Sequence, residues 1–232
     1  MSQIDYQISL RNYLFEFISD NKRHLFETII QSRTRHISIV LENIFQPHNA
    51  SAVLRSCDIF GVQDIHIIEN TNKYTLSEQV AMGSSKWLTL KKYNQEEENT
   101  IRCFDELRAK GYRIVATTPH DQDVMIDDLP LDQKTALVFG TELHGLSETA
   151  LQNADAFVKI PMYGFTESFN ISVSAALSMF HLTEKLRKSE IQWQLSEEEK
   201  IQIQINWAKR SIRKSKLIIK DFDLKWEAQS NS

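Results

Sequence analysis

The sequence has little cysteine and no long run of apolar residues. Its 232 residues include two cysteines, Cys57 and Cys103, and neither has a second cysteine or a histidine at the spacing of a zinc site. We therefore expect two reduced packing residues rather than a disulfide or a metal centre. No stretch approaches the roughly 18 apolar residues of a membrane-spanning helix, and the first residues lack the pattern of a signal peptide. These absences predict a cytoplasmic protein.

Several common signatures of nucleotide and ester chemistry are also missing. No G-x-G-x-x-G follows a predicted strand, no phosphate-binding loop ends in Gly-Lys-Ser or Gly-Lys-Thr, and no G-x-S-x-G elbow occurs. The usual dinucleotide, nucleoside-triphosphate and α/β-hydrolase interpretations are therefore excluded. Histidine and acidic residues form no cluster with the spacing of metal ligands, so we predict no metal site.

The charge is mildly acidic overall but uneven along the chain. Lysine and arginine number 27 against 31 acidic residues, which gives a net charge of -4. Near the end, six cations follow one another with no acid between them, namely Lys209, Arg210, Arg213, Lys214, Lys216 and Lys220. Such a run is either a solvated helix face or a contact for nucleic acid, because the local distribution of charge decides binding.

Apolar periodicity divides the chain into three parts. Residues 1–35 predict a helical extension of two helices, with Asp20 as the cap of the second. Residues 36–190 alternate between strand and helix patterns, which predicts an α/β domain with a mainly parallel sheet and helices on both faces. Residues 191–232 predict a basic helical extension that begins after a capping pattern at Ser196 and continues at helical spacing to the tail.

Short β-branched runs and glycines give approximate bounds within the α/β part. The predicted strands cover residues 36–42, 65–68, 87–90, 112–117, 136–140 and 156–160. The predicted helices cover residues 48–60, 77–82, 100–110 and 170–188, and Ser147 caps a further helix. Gly61 and Gly111 end two helices, and Gly164 allows a positive φ in the loop before the last one. Ser168 or Asn170 caps that last helix.

Polar side chains follow three of the predicted strands. Asn49 and Arg55 follow the first, Glu142 follows the strand 136–140, and Ser168 and Asn170 follow the last. Open α/β sheets bind ligands outside the carboxyl ends of their strands, so one ligand can meet all three sets. An arginine with an amide and a carboxylate suits a phosphate or a polarised hydroxyl. Taken singly, Arg55 is equally a surface ion-pair partner and Glu142 a solvated loop acid.

Three stretches together favour the functional alternative. PHNASAVLRS at residues 47–56, FGTELHGLS at 139–147 and IPMYGFTESFNISVSAAL at 160–177 resemble, in order and spacing, the three motifs of the SpoU-type RNA ribose 2'-O-methyltransferases of the SPOUT superfamily. The similarity covers roughly residues 36–186 and is greatest to the tRNA (guanosine-18-2'-O)-methyltransferase group. One departure is Phe169, where many relatives carry leucine.

This resemblance implies a fold, a cofactor and partners. The family's sheet has a C-terminal part threaded as a deep trefoil knot, which general rules on chain threading would have excluded. The implied cofactor is S-adenosylmethionine, the implied substrate is tRNA at guanosine 18, and the implied assembly is a homodimer with an active site shared between subunits. The alternatives are a ribose 2'-O-methyltransferase for another tRNA or rRNA site and a knotted RNA-binding protein without catalysis.

The motif positions also imply site residues. The implied catalytic residues are Arg55, Asn49, Glu142, Ser168 and Asn170. The implied cofactor-binding residues are Thr117, Gly140, Ile160, Met162, Gly164 and Phe169. The residues predicted to bind RNA are Arg23, His48, Lys185, Arg187, Arg210, Arg213 and Lys214. Arg55 is expected to be essential, either as the base or as a phosphate clamp, and the first role is difficult because a guanidinium stays protonated in proteins.

Overall fold

The computed structural model describes residues 2–44, 46–71, 83–119, 123–142 and 144–230. The chain divides into two compact units, one made of residues 34–193 and the other of residues 1–33 with 194–232. The helix predicted over 77–82 lies outside the described residues. Among the described residues, no helix is long and apolar enough to span a bilayer, and no group of three or more potential metal ligands is found.

The unit of residues 34–193 is built on a parallel sheet. Its described strands are β1 (Ile37–Glu42), β2 (Asp64–Ile68), β3 (Thr89–Tyr93), β4 (Tyr112–Thr117), β5 (Val124–Met125), β6 (Lys134–Phe139) and β7 (Ala156–Lys159). Their order in the sheet is β3-β2-β1-β6-β4-β7-β5, and all neighbouring pairs of these described strands run parallel. The predicted α/β class with a parallel sheet is confirmed.

Helices cover both faces of this sheet. They are α3 (Pro47–Phe60), α4 (Asn99–Ala109), α5 (Glu148–Gln152) and α6 (Ile171–Arg187). One core joins α3 and α6 to alternate residues of β1 such as Ile39, and the other joins α4 and α5 to the intervening residues such as Val40. Because helices cover both faces of the sheet, β1 is buried from end to end, and four of its six residues are apolar, as is typical of such a strand.

The two cysteines belong to these two different cores. Cys57 packs between α3 and its neighbours in the first core, and Cys103 lies in the second. Both thiols are reduced and buried. The prediction of two reduced packing residues is confirmed.

The third strand begins later than predicted. Trp87 ends a 3-10 turn over Ser84–Lys86, and β3 pairs with β2 from Thr89 onward. The prediction placed the strand at residues 87–90 because residues 87 and 88 are apolar. The observed strand instead contains Lys91 and Lys92. Lysines are typical of an edge strand, where they discourage pairing with another chain.

Local sequence signals set the ends of several elements. Gly61 (φ 77°) and Gly111 (φ 82°) take the left-handed conformation after α3 and α4, as predicted. Gly164 does not take a positive φ, so that prediction is wrong. Asn170, rather than Ser168, caps α6, because its side chain accepts a hydrogen bond from the backbone of Ser172.

The described part of the second unit contains four α-helices and a 3-10 turn at Ile30–Ser32. The helices are α1 (Gln3–Phe15), α2 (Asp20–Ile29), α7 (Glu197–Ser211) and α8 (Ser215–Ser230). Ser19, not Asp20, caps α2, because the cap residue itself stays outside the helix while its hydroxyl accepts from a backbone N–H further on. Ser196 and Glu199 form the predicted capping box. The predicted single final helix is interrupted at residues 212–214, where Ile212 takes an extended conformation.

Candidate functional site

Three polar loops meet at the carboxyl edge of the sheet. They follow β1, β6 and β7, and in the sheet β1 and β6 are adjacent while β4 alone separates β6 from β7. Because all these strands are parallel, their carboxyl ends lie at one edge, where open α/β sheets bind ligands. The topology therefore brings together three motifs that lie far apart in the sequence.

Asn49, Glu142 and Asn170, one from each loop, form a hydrogen-bonded cluster. Asn49 Nδ2 donates to Glu142 Oε1 at 2.7 Å. Asn170 Nδ2 donates to Asn49 Oδ1 at 3.2 Å and also to Glu142 Oε1. One carboxylate oxygen therefore receives N–H bonds from two amides that are themselves linked. Hydrogen bonds to a charged acceptor are roughly twice as strong as neutral ones, so the carboxylate is held in a fixed direction.

The remaining polar atoms of the two amides anchor the cluster to the backbone and to α3. Asn170 Oδ1 accepts from the Ser172 backbone N–H at 2.9 Å and from the Ser172 hydroxyl at 2.6 Å. Asn49 Nδ2 also donates to Gln46 Oε1 at 3.0 Å. Asn49 is buried while Glu142 is exposed. The carboxylate is thus fixed by the buried amide of Asn49, and it remains exposed so that a ligand can reach it.

A cavity of about 240 Å³ opens beside this cluster. Five of the six residues predicted to bind a cofactor line it, namely Thr117, Gly140, Ile160, Met162 and Phe169. Glu142 and Ser168 line it as well. The sixth predicted residue, Gly164, lines a neighbouring cavity instead. The cofactor-binding roles of these six residues stay predictions.

Gly140 is confined by the turn that presents Glu142. A Cβ atom added to Gly140 would lie 2.1 Å from the Gly145 carbonyl oxygen. Thr141 and Gly145 exchange two backbone hydrogen bonds, of 2.8 and 2.9 Å, across this turn, and Gly145 has a φ of 65°. Both glycines are therefore required by the backbone, the first for space and the second for conformation.

Ser178 is a cavity residue that the sequence motifs do not mark. It belongs to α6 and lines the 240 Å³ cavity. Its Oγ is buried and has no hydrogen-bond partner among the described residues. A buried hydroxyl without a partner is costly, so this atom is suited to a ligand. A serine on the buried face of a helix gives no distinctive sequence signal, which is why it was missed.

Glu42 is a second residue that sequence reasoning missed. It ends β1 and is only 1% exposed. Its carboxylate accepts from the Ser147 backbone N–H at 2.9 Å, the Ser147 hydroxyl at 2.8 Å and the Thr100 hydroxyl at 2.7 Å. It therefore ties the end of β1 to the start of α5, just beyond the Glu142 turn. An acid closing an otherwise apolar strand was the available signal.

Arg55 and His48 lie on α3, the helix that carries Asn49. Arg55 is about one and a half turns after Asn49, and its side chain is exposed. His48 is exposed as well. Ser168, the remaining motif residue, is exposed at the cavity wall. Exposure is compatible with contacts to a large substrate, and the roles of these residues stay predictions.

Two of the cations predicted to bind RNA are engaged within the fold. Lys185 Nζ donates to the carbonyl oxygens of Asp127 and Leu129, at 2.6 and 2.9 Å. Arg187 donates to the Phe60 carbonyl oxygen at 2.8 Å, and its guanidinium lies 5.7 Å from the centre of the Trp193 ring. Both side chains therefore stabilise the fold, a role that their positive charge alone did not predict.

The other predicted RNA-binding cations belong to the helical unit. Arg210 lies near the end of α7, and Arg213 and Lys214 lie in the turn before α8. All three are exposed. Arg23 on α2 is exposed but pairs with Glu27 at 3.0 Å. The turn between α7 and α8 thus presents the densest accessible positive charge of the predicted set.

Comparison with known proteins agrees with this geometry. The model of the SpoU rRNA Methylase family matches residues 36–180. A Borreliella burgdorferi protein named tRNA (guanosine(18)-2'-O)-methyltransferase is 42% identical over 205 residues, which cover 88% of this chain and 92% of that protein. The crystal structure of the Aquifex aeolicus TrmH/SpoU tRNA modifying enzyme aligns with a TM-score of 0.73 at 28% identity, over 84% of this chain and 98% of that one.

A more distant solved structure shares the fold. The SpoU methyltransferase AviRb from Streptomyces viridochromogenes, solved with the cofactor AdoMet, aligns with a TM-score of 0.59 at 22% identity, over 69% of this chain and 64% of that one. The matched range of the family model contains β1 to β7 and all three motif loops. The chain therefore belongs to the SpoU rRNA Methylase family.

Proposed function

We propose that this protein methylates the 2'-hydroxyl of a ribose in tRNA, at guanosine 18 of the D-loop, with S-adenosylmethionine as methyl donor. The observation that carries the proposal is the cluster of Asn49, Glu142 and Asn170 at the wall of a cavity lined by the motif loops. The Borreliella burgdorferi relative, 42% identical, is named for that reaction.

The cavity residues fit S-adenosylmethionine. Ile160, Met162 and Phe169 offer apolar contacts, and Ser178 has a buried hydroxyl that lacks a partner among the described residues. Thr118 adds a polar side chain at the rim. When bound, this cofactor supplies an electrophilic methyl group carried on a sulfonium. Apolar walls with a few placed polar groups are typical of a small-molecule site.

The chain's own residues would orient and activate the ribose hydroxyl. A 2'-hydroxyl is a poor nucleophile, so its proton must be accepted or relieved while the methyl group is transferred. The Glu142 carboxylate, fixed by two amide donors, is suited to hold a hydroxyl or a nearby donor in one direction. Arg55 is proposed as essential. It acts either on the hydroxyl proton or as a clamp on an RNA phosphate, for which its planar fork of donors is suited.

We assign electrostatic contact with tRNA to the end of α7 and the turn that follows it. The three exposed cations of this segment, Arg210, Arg213 and Lys214, match the chemistry of a phosphate backbone. Residues 36–190 would then form the methyltransferase domain and the helical extensions at 1–35 and 191–232 would serve RNA contact. A cytoplasmic location remains a prediction.

We also propose the trefoil knot and the homodimer implied by the family motifs. In the sheet, β7 lies between β4 and β5 although it follows both in the chain, so its segment enters between strands formed earlier. Large apolar side chains are exposed on α3 and α6, with Ile59 at 68% and Phe180 at 56%. A second copy that covers this face would remove them from water, as in the self-complementary interface of a two-fold dimer.

The decisive experiment is methyl transfer to defined tRNA. The full chain is incubated with labelled S-adenosylmethionine and matched transcripts that carry guanosine or adenosine at position 18, and the 2'-O-methyl group is then mapped. We expect incorporation at position 18 of the guanosine transcript. Incorporation at another nucleotide, or only into rRNA, would support the other-site alternative. RNA binding with no incorporation into any RNA would support a non-catalytic RNA-binding protein.

A further inference from the structure

Glu42 places a buried carboxylate at the end of an otherwise apolar part of β1. Its side chain is 1% exposed, and within the described parts of the chain it has hydrogen bonds but no ion pair. Removing a carboxylate from water is costly unless donors replace the lost solvent. An apolar side chain at the end of a buried strand would avoid that cost. The acid therefore serves a purpose other than packing.

The carboxylate of Glu42 accepts hydrogen bonds from two other parts of the fold. One oxygen accepts from the Ser147 backbone N–H at 2.9 Å, and the other accepts from the hydroxyls of Ser147 and Thr100 at 2.8 and 2.7 Å. The Ser147 hydroxyl in turn accepts from the Ala150 N–H at 3.1 Å, and the Thr100 hydroxyl accepts from Asn70 Nδ2 at 2.8 Å. Ser147 is thus fixed to the end of β1 through two of its atoms.

Ser147 is the residue at which the turn that carries Glu142 rejoins the fold. This turn covers residues 140–146 and follows β6 directly. Leu41, which precedes Glu42, pairs with the last residue of β6, so Glu42 lies beside the start of the turn and binds its end. Two backbone hydrogen bonds close the turn on itself. A shift of its end would therefore move the other residues of the turn as well.

Glu42 lies on the face of the sheet opposite to the cavity. Successive residues of a strand point to opposite faces, and Leu41 packs in the core of α3 and α6 whereas Val40 packs in the core of α4 and α5. Glu42 points to the same side as Val40, where Thr100 lies in the first turn of α4. The described residues that line the cavity of about 240 Å³ include Ser178 of α6, and Glu42 is not one of them.

We propose that Glu42 is a positioning residue for the methyl transfer. By binding Ser147 it fixes the end of the turn, and the turn fixes the direction in which Glu142 presents its carboxylate to the ribose hydroxyl. Asn49 and Asn170 hold Glu142 through its side chain, whereas Glu42 holds it through the backbone. This inference rests on the proposed function and adds to it a residue that lies outside the cavity.

The test measures single-turnover methyl transfer by the full chain at saturating tRNA and S-adenosylmethionine, per folded protein as determined by circular dichroism. Glu42→Gln keeps the size of the side chain, but its N–H₂ group opposes one of the three donors. We expect a rate about 10- to 100-fold lower, the order of loss that a misplaced group near the reacting atoms produces. Thr100→Val removes one donor only and should lower the rate by about threefold.

A second background separates the positioning of Glu142 from general damage. Glu142→Ala leaves no carboxylate to position, so the further change Glu42→Gln should slow the residual reaction by less than about twofold. Asp64→Asn is the matched control, because Asp64 is also a mostly buried carboxylate, paired with Arg35 at 3.1 Å, but it begins β2 at the other end of the sheet. It should change the rate by less than about twofold with or without Glu142.

Hydrogen exchange of residues 140–147 gives a readout that does not depend on activity. Glu42→Gln should speed exchange in this segment by about tenfold, because the end of the turn opens more often. Exchange in α6 should stay as in the wild type. Asp64→Asn should leave both segments unchanged. If Glu42→Gln does not fold, Thr100→Val is used for the same measurements, with the smaller change in rate given above.

The outcomes distinguish this inference from the proposed function. If the wild-type protein methylates tRNA and folded Glu42→Gln does so at the same rate, the inference is overturned and the methyltransferase function stands. If Glu42→Gln slows transfer by the same factor with and without Glu142, or leaves exchange of residues 140–147 unchanged, Glu42 does not act through the turn and the inference is wrong. If the wild-type protein transfers no methyl group to any RNA, the proposed function fails, and hydrogen exchange still decides whether Glu42 holds the turn.

Discussion

Asn170 donates a hydrogen bond to Asn49 across 121 residues of sequence, and both amides donate to the same oxygen of Glu142. Neither asparagine can therefore be removed without changing how the other holds the carboxylate. A set of side chains connected in this way acts as a unit, and its mutational effects are not additive.

The first prediction follows from this connection. Asn49→Ala and Asn170→Ala should each slow single-turnover methyl transfer, and the double variant should be little slower than the worse single one, because the first loss already frees Glu142. We expect a coupling of about 0.5–3 kcal/mol. Asn94→Ala, which removes an exposed asparagine bonded to Glu69, should combine additively with Asn49→Ala. Additive effects of Asn49 and Asn170 would show that the cluster does not act as a unit.

The second prediction concerns the turn before Glu142. Gly140→Ala places a Cβ atom 2.1 Å from a backbone oxygen, so the turn must shift. We expect a loss of about 1–3 kcal/mol of stability, the usual cost of overpacking, together with loss of S-adenosylhomocysteine binding. Gly164→Ala is the control for the loss of stability alone, since the nearest atom to its new Cβ is 3.9 Å away. Thermal unfolding of both variants and calorimetry on Gly140→Ala measure the two effects, and an equal loss of stability in the two variants would contradict the prediction.

The third prediction separates the two roles of Arg55. A phosphate clamp needs mainly a positive charge, so Arg55→Lys would keep a good part of the rate. Proton transfer through a phosphate needs fixed reach and angle, and lysine would then cost on the order of 10²-fold in turnover. We expect the larger loss, with S-adenosylmethionine binding retained, because α3 carries both Arg55 and Asn49, and Asn49 belongs to a cluster of fixed geometry. Single-turnover rates at saturating tRNA measure it, and full activity in Arg55→Ala would remove Arg55 from the mechanism.

The fourth prediction is a pH dependence of stability that originates at His66. Burial, helped by Lys110 and Lys91, lowers the pKa of His66 to about 4. The unfolded chain takes up the proton near pH 6.5, whereas the folded one does not until about pH 4. The stability contributed by neutral His66 is therefore complete above pH 6.5 and is lost as the pH falls toward 4. The total loss is roughly 3 kcal/mol from the size of the shift.

Denaturant unfolding across this pH window tests the assignment. His66→Asn should give a shallower fall in the free energy of unfolding between pH 6.5 and 4 than the wild type does. His144→Asn, which replaces an exposed histidine, should leave the wild-type slope in place. An unchanged slope in His66→Asn would mean that other groups account for the acid sensitivity.

The fifth prediction concerns the cations between α7 and α8. Changing Arg210, Arg213 and Lys214 to alanine should weaken tRNA binding and reduce the slope of log affinity against log salt by about two to three, since each lost phosphate contact releases roughly one counterion fewer. Affinity for S-adenosylmethionine should be unchanged. Lys188→Ala, an exposed cation of the other unit, should have little effect. If both tRNA affinity and salt slope persist in the triple variant, this turn is only a solvated surface.

The sequence predicts this fold well where local chemistry controls the chain. Gly61 and Gly111 end helices by their conformation, and the apolar run of β1 indicates a strand buried on both faces. The bounds of β3 were wrong because Trp87 ends a 3-10 turn and Leu88 packs in the core before the strand begins. The capping error at Asp20 arises because neighbouring polar residues compete for one position. For the same reason the sequence left Ser168 and Asn170 as alternative caps of α6, and Asn170 is the one observed.

The site could be predicted only as far as its motifs extend. The strand-end positions of Asn49, Glu142 and Asn170 made their meeting an expectation, since parallel strands end at one edge. The hydrogen-bond partners of Glu42, and the lack of a partner for the Ser178 hydroxyl among the described residues, depend on which distant parts of the chain fold against them. No local sequence pattern indicates this. The hydrogen bonds from Lys185 to backbone carbonyl oxygens could not be predicted from the sequence for the same reason.

The division of the chain into two units bears on how the protein is made. The helical unit combines residues 1–33 with residues 194–232, and Phe26 of the first segment packs on Trp207 of the second at a ring distance of 5.3 Å. During synthesis, α1 and α2 leave the ribosome long before α7, their packing partner, exists. The whole α/β unit of residues 34–193 is synthesised in between, so the contact of Phe26 with Trp207 forms only after that unit has been made.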